Sequence, residues 1–222
     1  MSQDSAELTI DVVSDVVCPW CYLGKKRLER ALAGEPGEPI KVHWRPYQLD
    51  PSIAKEGLER RAYMINKFGK DGRIEAAHER LTALGAEEGI TFAFDRIARA
   101  PNTLDAHRLI RWAYVAGAQD KVVDRLFRLY FEEGRDIGER ALLIDTAVEC
   151  GMDGEVVARL FDEGADEAEV RAEIAEAQSL GVTGVPFFIF AQRFGVPGAQ
   201  SADVLAAAIE QARKSLAGIE AA

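Results

Sequence analysis

The chain of 222 residues is poor in the residue types that most sharply restrict function. It has three cysteines, and its three histidines, His43, His78 and His107, show no finger or ribbon spacing. Structural zinc usually takes four ligands, often two paired sets, so no resident metal is expected. Three cysteines cannot form a dense disulfide framework, and a chain of this length buries a sizeable core without one. No stretch approaches the ~20 apolar residues of a membrane span. The opening segment, from Met1 to Glu7, carries acids and lacks the apolar run of a signal peptide. Positive charge is also short: 27 Lys and Arg stand against 37 Asp and Glu, a formal net charge of −10. Phosphate recognition needs a clustered basic surface, so nucleic-acid and anionic-membrane partners are not expected. The short basic run Lys25-Lys26-Arg27 reads as a solvated helix face. A soluble, cytoplasmic protein is expected, and in that compartment a close cysteine pair is more often redox-active or catalytic than a static staple.

Two of the three cysteines stand in one motif, Cys18-Pro19-Trp20-Cys21. The apolar run over 8–13 reads as a buried strand, and the spacing over 23–32 reads as a helix. The pair therefore falls at a strand-to-helix junction, where two thiols can close a small disulfide ring without moving the backbone far. The first thiol sits at the helix N-terminus, a position that stabilises anions. This pattern is the chemistry of a reversible dithiol.

Beyond that helix, Gly34 to Pro39 is a Gly/Pro break, and 40–47 reads as a second strand. Strand, helix and strand at this spacing make a right-handed βαβ unit. A long region with no convincing strand follows, with helices expected over 106–116, 121–131, 139–150 and 155–161. Gly151 is placed to end the third of these. Asp166 and Glu169 read as a near capping box. Strand character returns over 186–190, and a turn at 191–193 leads to a hairpin return at 194–196. Ser201 is placed to cap a last helix whose face carries Val204, Leu205, Ala208 and Ile209. The order is βαβ, a helical insert, then ββα.

The segments from Ser14 to Cys21 and from Gly181 to Phe188 (GVTGVPFF), supported by 102–108, resemble the DsbA-like branch of the thioredoxin superfamily, and within it the FrnE-like group. The motifs sit at the start, middle and end of the chain. The resemblance implies an α/β thioredoxin fold, with 1–50 and 180–222 as the thioredoxin-like part and 51–179 as an inserted helical subdomain. It also implies that the Val185–Pro186 bond is cis and faces the dithiol, exposing the Val185 backbone for a substrate strand. Pro186 as the plain start of a strand is the alternative.

The activity implied is thiol–disulfide oxidoreduction, isomerisation included, through a mixed disulfide, with no cofactor beyond the Cys18–Cys21 pair. Cys18 is expected to be the accessible attacking thiol and Cys21 the buried resolving one. Pro19, Trp20, Val185 and Pro186 form the active-site loop. Protein or peptide thiols are the expected partners, with glutathione a candidate co-substrate and a homodimer a candidate assembly. Uncharged Trp20 points to moderate rather than extreme oxidising power, within a range of about −270 to −120 mV for such motifs.

Kappa-class glutathione transferases and hydroxychromene-carboxylate isomerases share this plan but carry a serine where this chain has Cys18. That makes a glutathione-dependent isomerase or transferase the second reading and a non-catalytic binding module the third. Asp15 is either a proton-transfer group or a solvated loop aspartate. Asn102 is either a helix cap or a substrate or glutathione contact. Cys150 is expected to pack as a small buried hydrophobe. Trp44, Tyr47, Trp112, Phe127 and Tyr130 are expected in the core.

Overall fold

A computed structural model describes residues 7–34 and 40–220. The leading segment 1–6 and most of the Gly/Pro break, 35–39, lie outside the described residues. The chain is mixed α/β, a thioredoxin fold with a helical insertion. Strand β1 (Thr9–Ser14) runs into helix α1 (Pro19–Ala33), and β2 (Lys41–Pro46) returns parallel to β1. After the insertion, β5 (Phe187–Phe190) pairs antiparallel with β1, and β6 (Phe194–Pro197) closes a hairpin onto β5. The sheet order is β2-β1-β5-β6, followed by helix α9 (Ala202–Glu220).

Alternation along the strands separates two faces. Ile10, Val12, Phe188 and Phe190 join the main core, against which α1 and α9 pack. Val13 and Phe187 face the other way, onto Ala177 of α8 (Glu167–Ser179) and Val182 just beyond it. Ser201 caps α9 as expected, its Oγ accepting from Val204 N–H at 3.4 Å.

The insertion carries α2 (Arg60–Phe68), α3 (Arg73–Glu87), α4 (Leu104–Val115), α5 (Gln119–Phe131), α6 (Arg140–Glu149), α7 (Gly154–Asp162) and α8. Helices α4 to α7 fall within a few residues of their expected places, and Gly151, at φ 90°, follows the end of α6. Two short strands, β3 (Leu58–Glu59) and β4 (Arg99–Ala100), pair where no strand was expected. Two residues are too few to show an alternation.

A stack of rings ties the insertion to the thioredoxin part. Tyr22 of α1 lies flat against Phe127 at 5.0 Å and donates its hydroxyl to Glu132 at 2.6 Å. One continuous core therefore contains both parts.

The basic run on α1 corrects its sequence reading. The Lys25 side chain is 1% exposed, and its ammonium meets Glu29, Asp120 and Asp124. Lys26 pairs with Asp124 at 2.6 Å, and Arg27 with Glu88 at 3.1 Å. This face is an interface: Lys25 and Lys26 meet acids about a hundred residues downstream in α5, and Arg27 meets Glu88 at the end of α3.

Asp166 also departs from its expected role. It lies at φ 58° and caps nothing with its side chain, which accepts instead from Trp112 Nε1 at 2.7 Å and Arg111 Nε at 3.1 Å. Cys150 is half-buried at the end of α6, packed beside the core rather than within it. The five large aromatics are all buried.

Candidate active site

The dithiol is built by the turn that joins β1 to α1. The Asp15 carbonyl accepts from Cys18 N–H at 2.9 Å, bringing the chain about so that Cys18 is the N-cap of α1 and Pro19 its first residue. Proline suits this position because the first helical amide has no partner to lose. Cys18 carbonyl then accepts from Cys21 N–H at 3.0 Å and Tyr22 N–H at 3.3 Å, placing Cys21 one turn inside.

Cys21 is fully buried. Burial pushes its pKa well above the ordinary thiol value of 9.0, and the neighbouring Cys18 thiol pushes the same way. The Ser14 hydroxyl and Asp15 backbone oppose the rise in part. The Ser14 hydroxyl is buried, and among the described residues it has no partner besides the Cys21 sulfur.

Cys18 is itself only 4% exposed. The expected contrast between an open and a hidden thiol is therefore narrower than the sequence suggests. Access to Cys18 is through a cavity whose wall it forms.

Opposite the dithiol, the Val185–Pro186 bond is cis. The Cys18 thiol donates to the Val185 carbonyl at 3.6 Å. No backbone group pairs with Val185 among the described residues, and it lies just beyond the last β5 register pair. Gly24 allows this approach: a Cβ there would stand 3.0 Å from Pro186 Cγ and 3.2 Å from Phe188 Cζ.

The cavity holds about 440 Å³, inside the usual range for small-molecule sites of about 300–1,000 Å³. The Cys18-Pro19-Trp20 segment lines it with Gly184 and Val185, and its other walls come from α2, α3, the 49–53 and 100–103 segments and Tyr130 of α5. Trp20 lines it, with the Arg80 guanidinium 5.6 Å from its ring centroid.

Asp15 lines the cavity too and is 1% exposed, which removes the solvated-aspartate reading. Its Oδ2 accepts from Leu49 N–H at 2.8 Å, and its Oδ1 lies 3.4 Å from His107 Nε2. Asn102 does not line the cavity. Its amide accepts from Leu104 N–H at 2.9 Å and donates to the Ile53 carbonyl at 2.6 Å, tying the 49–53 wall to the start of α4.

Sequence reasoning did not single out Arg60, Tyr63, Lys67 or His78, although all four line the cavity. Arg60, Tyr63 and Lys67 share helical spacing on α2, whereas His78 lies on α3, and no local pattern joins it to them.

A family model for the DSBA-like thioredoxin domain matches residues 9–210. The uncharacterized protein YwbO of Bacillus subtilis is 27% identical over 206 residues, covering 92% of this chain and 97% of its own. A probable DsbA oxidoreductase from Streptomyces coelicolor superposes with a TM-score of 0.84 at 36% identity, over 93% of this chain and 90% of the other. The cytosolic disulfide reductase DsbM from Pseudomonas aeruginosa, solved with GSH, is similar in fold, with a TM-score of 0.60 at 23% identity over 96% and 100% of the chains.

Proposed function

Because the chain belongs to the DSBA-like thioredoxin domain family, we propose that it is a thiol–disulfide oxidoreductase working through Cys18 and Cys21. The observation that carries this reading is the placement of the two sulfurs. Cys18 forms the cavity wall beside Val185, whose backbone no other backbone group pairs with among the described residues, and Cys21 is sealed behind it.

A substrate segment adds to Val185 by main-chain pairing, which brings its disulfide to Cys18 with little demand on side chains. Cys18 thiolate attacks one substrate sulfur, a mixed disulfide forms, and the other sulfur leaves as thiolate. Cys21, deprotonated as it reacts, then attacks the Cys18 sulfur and releases the reduced substrate. Two electrons pass from the protein dithiol to the substrate, and the same steps reversed oxidise a dithiol.

Burial of Cys21 keeps it from attacking outside molecules and leaves the neighbouring Cys18 sulfur as its target. Asp15, close to this path and shielded from water, is the candidate proton carrier. Glutathione is a candidate reductant for the oxidised pair, in line with the GSH found with the DsbM structure.

The test is turnover of a protein disulfide such as insulin, with a thiol reductant. Cys18→Ser should fall to the uncatalysed rate, and Cys21→Ala should stall after one mixed disulfide. Activity that requires glutathione and survives Cys21→Ala would favour the isomerase or transferase reading instead.

A further inference from the structure

The cavity beside Cys18 is lined by three cations, Arg60, Lys67 and Arg73, and two carboxylates, Asp15 and Asp50. Their pairing is uneven. Asp15 is taken up by Leu49 N–H and lies against His107. Asp50 accepts from Tyr63 at 3.0 Å and pairs with Lys67 at 3.4 Å. Arg73 pairs with Asp71 at 2.8 Å.

Arg60 has no carboxylate partner among the described residues. Its guanidinium makes a long bond, 3.5 Å to the Phe94 carbonyl, is within reach of the Tyr130 hydroxyl, and lies 6.0 Å from the Phe94 ring centroid.

The base of this side chain is fixed even though α2 buries none of its residues. Arg60 N–H donates to the Ala98 carbonyl at 2.9 Å, and the preceding residue is held in the β3–β4 pair. The charge is felt by other lining groups. Burial pushes Tyr130 up to about 12 and Arg60 opposes that rise. Burial, and then Arg60, holds His78 below its ordinary value, so His78 adds no charge at neutral pH. One positive charge with no carboxylate partner among the described residues therefore faces a chamber whose walls include the apolar side chains of Trp20, Met64, Ile74 and Leu81.

A partly desolvated cation calls for an anion, and a guanidinium's planar fork fits a carboxylate in two bonds. One unanswered charge, in a protein of net charge −10, favours a monoanion over a phosphate-rich ligand.

We propose that this cavity takes low-molecular-weight disulfides or thiols with an apolar body and a carboxylate, and that Arg60 anchors the carboxylate while Cys18 engages the sulfur. This rests on the dithiol reading above and names its substrate class. Cys18 bonds to the near sulfur, the S–S bond breaks and the far half leaves as thiolate. Cys21 then displaces the near half, so the protein dithiol supplies both electrons.

The test uses pre-reduced full-length protein in a Cys150→Ser background, mixed with two aromatic disulfides. Dithiobis(nitrobenzoate) carries a carboxylate on each half, and dithiodipyridine carries none. At about 0.15 M salt, where longer-range attraction is screened, Arg60→Met should slow oxidation by the first about 10- to 100-fold. Oxidation by the second should be unchanged, and Arg60→Lys should restore part of the loss. Equal slowing with both reagents would mean that Arg60 acts on the fold or on Cys18 itself, and would overturn the proposal. No slowing with either would also overturn it, while leaving the dithiol reading intact. Failure of both reagents to oxidise the parent dithiol would refute the dithiol reading itself.

Discussion

Gly24→Ala tests whether the fit of α1 against Pro186 sets the reactivity of Cys18. The added methyl would meet Pro186 Cγ at 3.0 Å and Phe188 Cζ at 3.2 Å. Neither neighbour can swing aside, since one is a ring fixed in the backbone and the other is fully buried. Overpacking of this kind costs about 2 kcal/mol, and replacing a helical glycine returns about 1 kcal/mol. The net loss of about 1 kcal/mol should lower Tm by about 2–4 °C in a chain of this size. The larger effect should be chemical. Relief of the contact moves α1 and the Pro186 segment apart, and with them Cys18 and the Val185 carbonyl, now 3.6 Å apart. Misplacement of a reacting group by a fraction of an ångström should slow oxidation of the dithiol by a small disulfide about three- to tenfold. The assay pairs a thermal melt with stopped-flow oxidation of the pre-reduced protein. Ile174→Val in α8, expected to cost about 1 kcal/mol, is the control that should leave the rate alone. A Gly24→Ala protein with a raised Tm and an unchanged rate would refute the reasoning.

The α1–α5 ion cluster makes a second test. Lys25→Met leaves Asp120, Asp124 and Glu29 with one fewer cation. Losing one partner of a buried pair costs about 3–5 kcal/mol, reduced here to about 2–3 because two of the acids reach solvent and Lys26 remains. Denaturant unfolding as stable as the parent would contradict the burial of this face.

Cys21 provides a pH test. Its folded pKa is raised, so the stability it contributes is complete below the unfolded thiol value of 9.0 and is lost as pH climbs above it. The reduced protein should lose stability on that alkaline limb more steeply than Cys21→Ala, and parallel curves would contradict the assignment. In native Cys18→Ser at pH 8, iodoacetamide should leave Cys21 unmodified, whereas denaturation should expose it; rapid native labelling would refute its burial.

The parts of this protein legible in its sequence are those written in local patterns. Apolar and strand-like runs with a hairpin return give β1, β2, β5 and β6, and Cys18-Pro19-Trp20-Cys21 gives the reacting sulfurs. The helix faces of α4 and α5 carry apolar residues at helical spacing and appear nearly where expected.

Long-range pairing was not legible. Lys25 looks solvated beside Lys26 and Arg27 until α5 brings Asp120 and Asp124 against it. Asp166 looks like a cap until Trp112 and Arg111 claim its carboxylate. The cavity is the largest case. Its walls come from segments distant in sequence, and α2 buries no residue, so no apolar stripe marks it as part of a site.

The central claim is a division of labour, with Cys18 attacking and Cys21 resolving. Trapping with Cys21→Ala tests it most directly. The reduced variant is mixed with a disulfide-bonded protein and the adduct is mapped by mass spectrometry after proteolysis. The account predicts a persistent mixed disulfide at Cys18 that dithiothreitol releases and that is missing from the Cys18→Ser, Cys21→Ala double variant. No adduct, or an adduct at Cys150 alone, would contradict it.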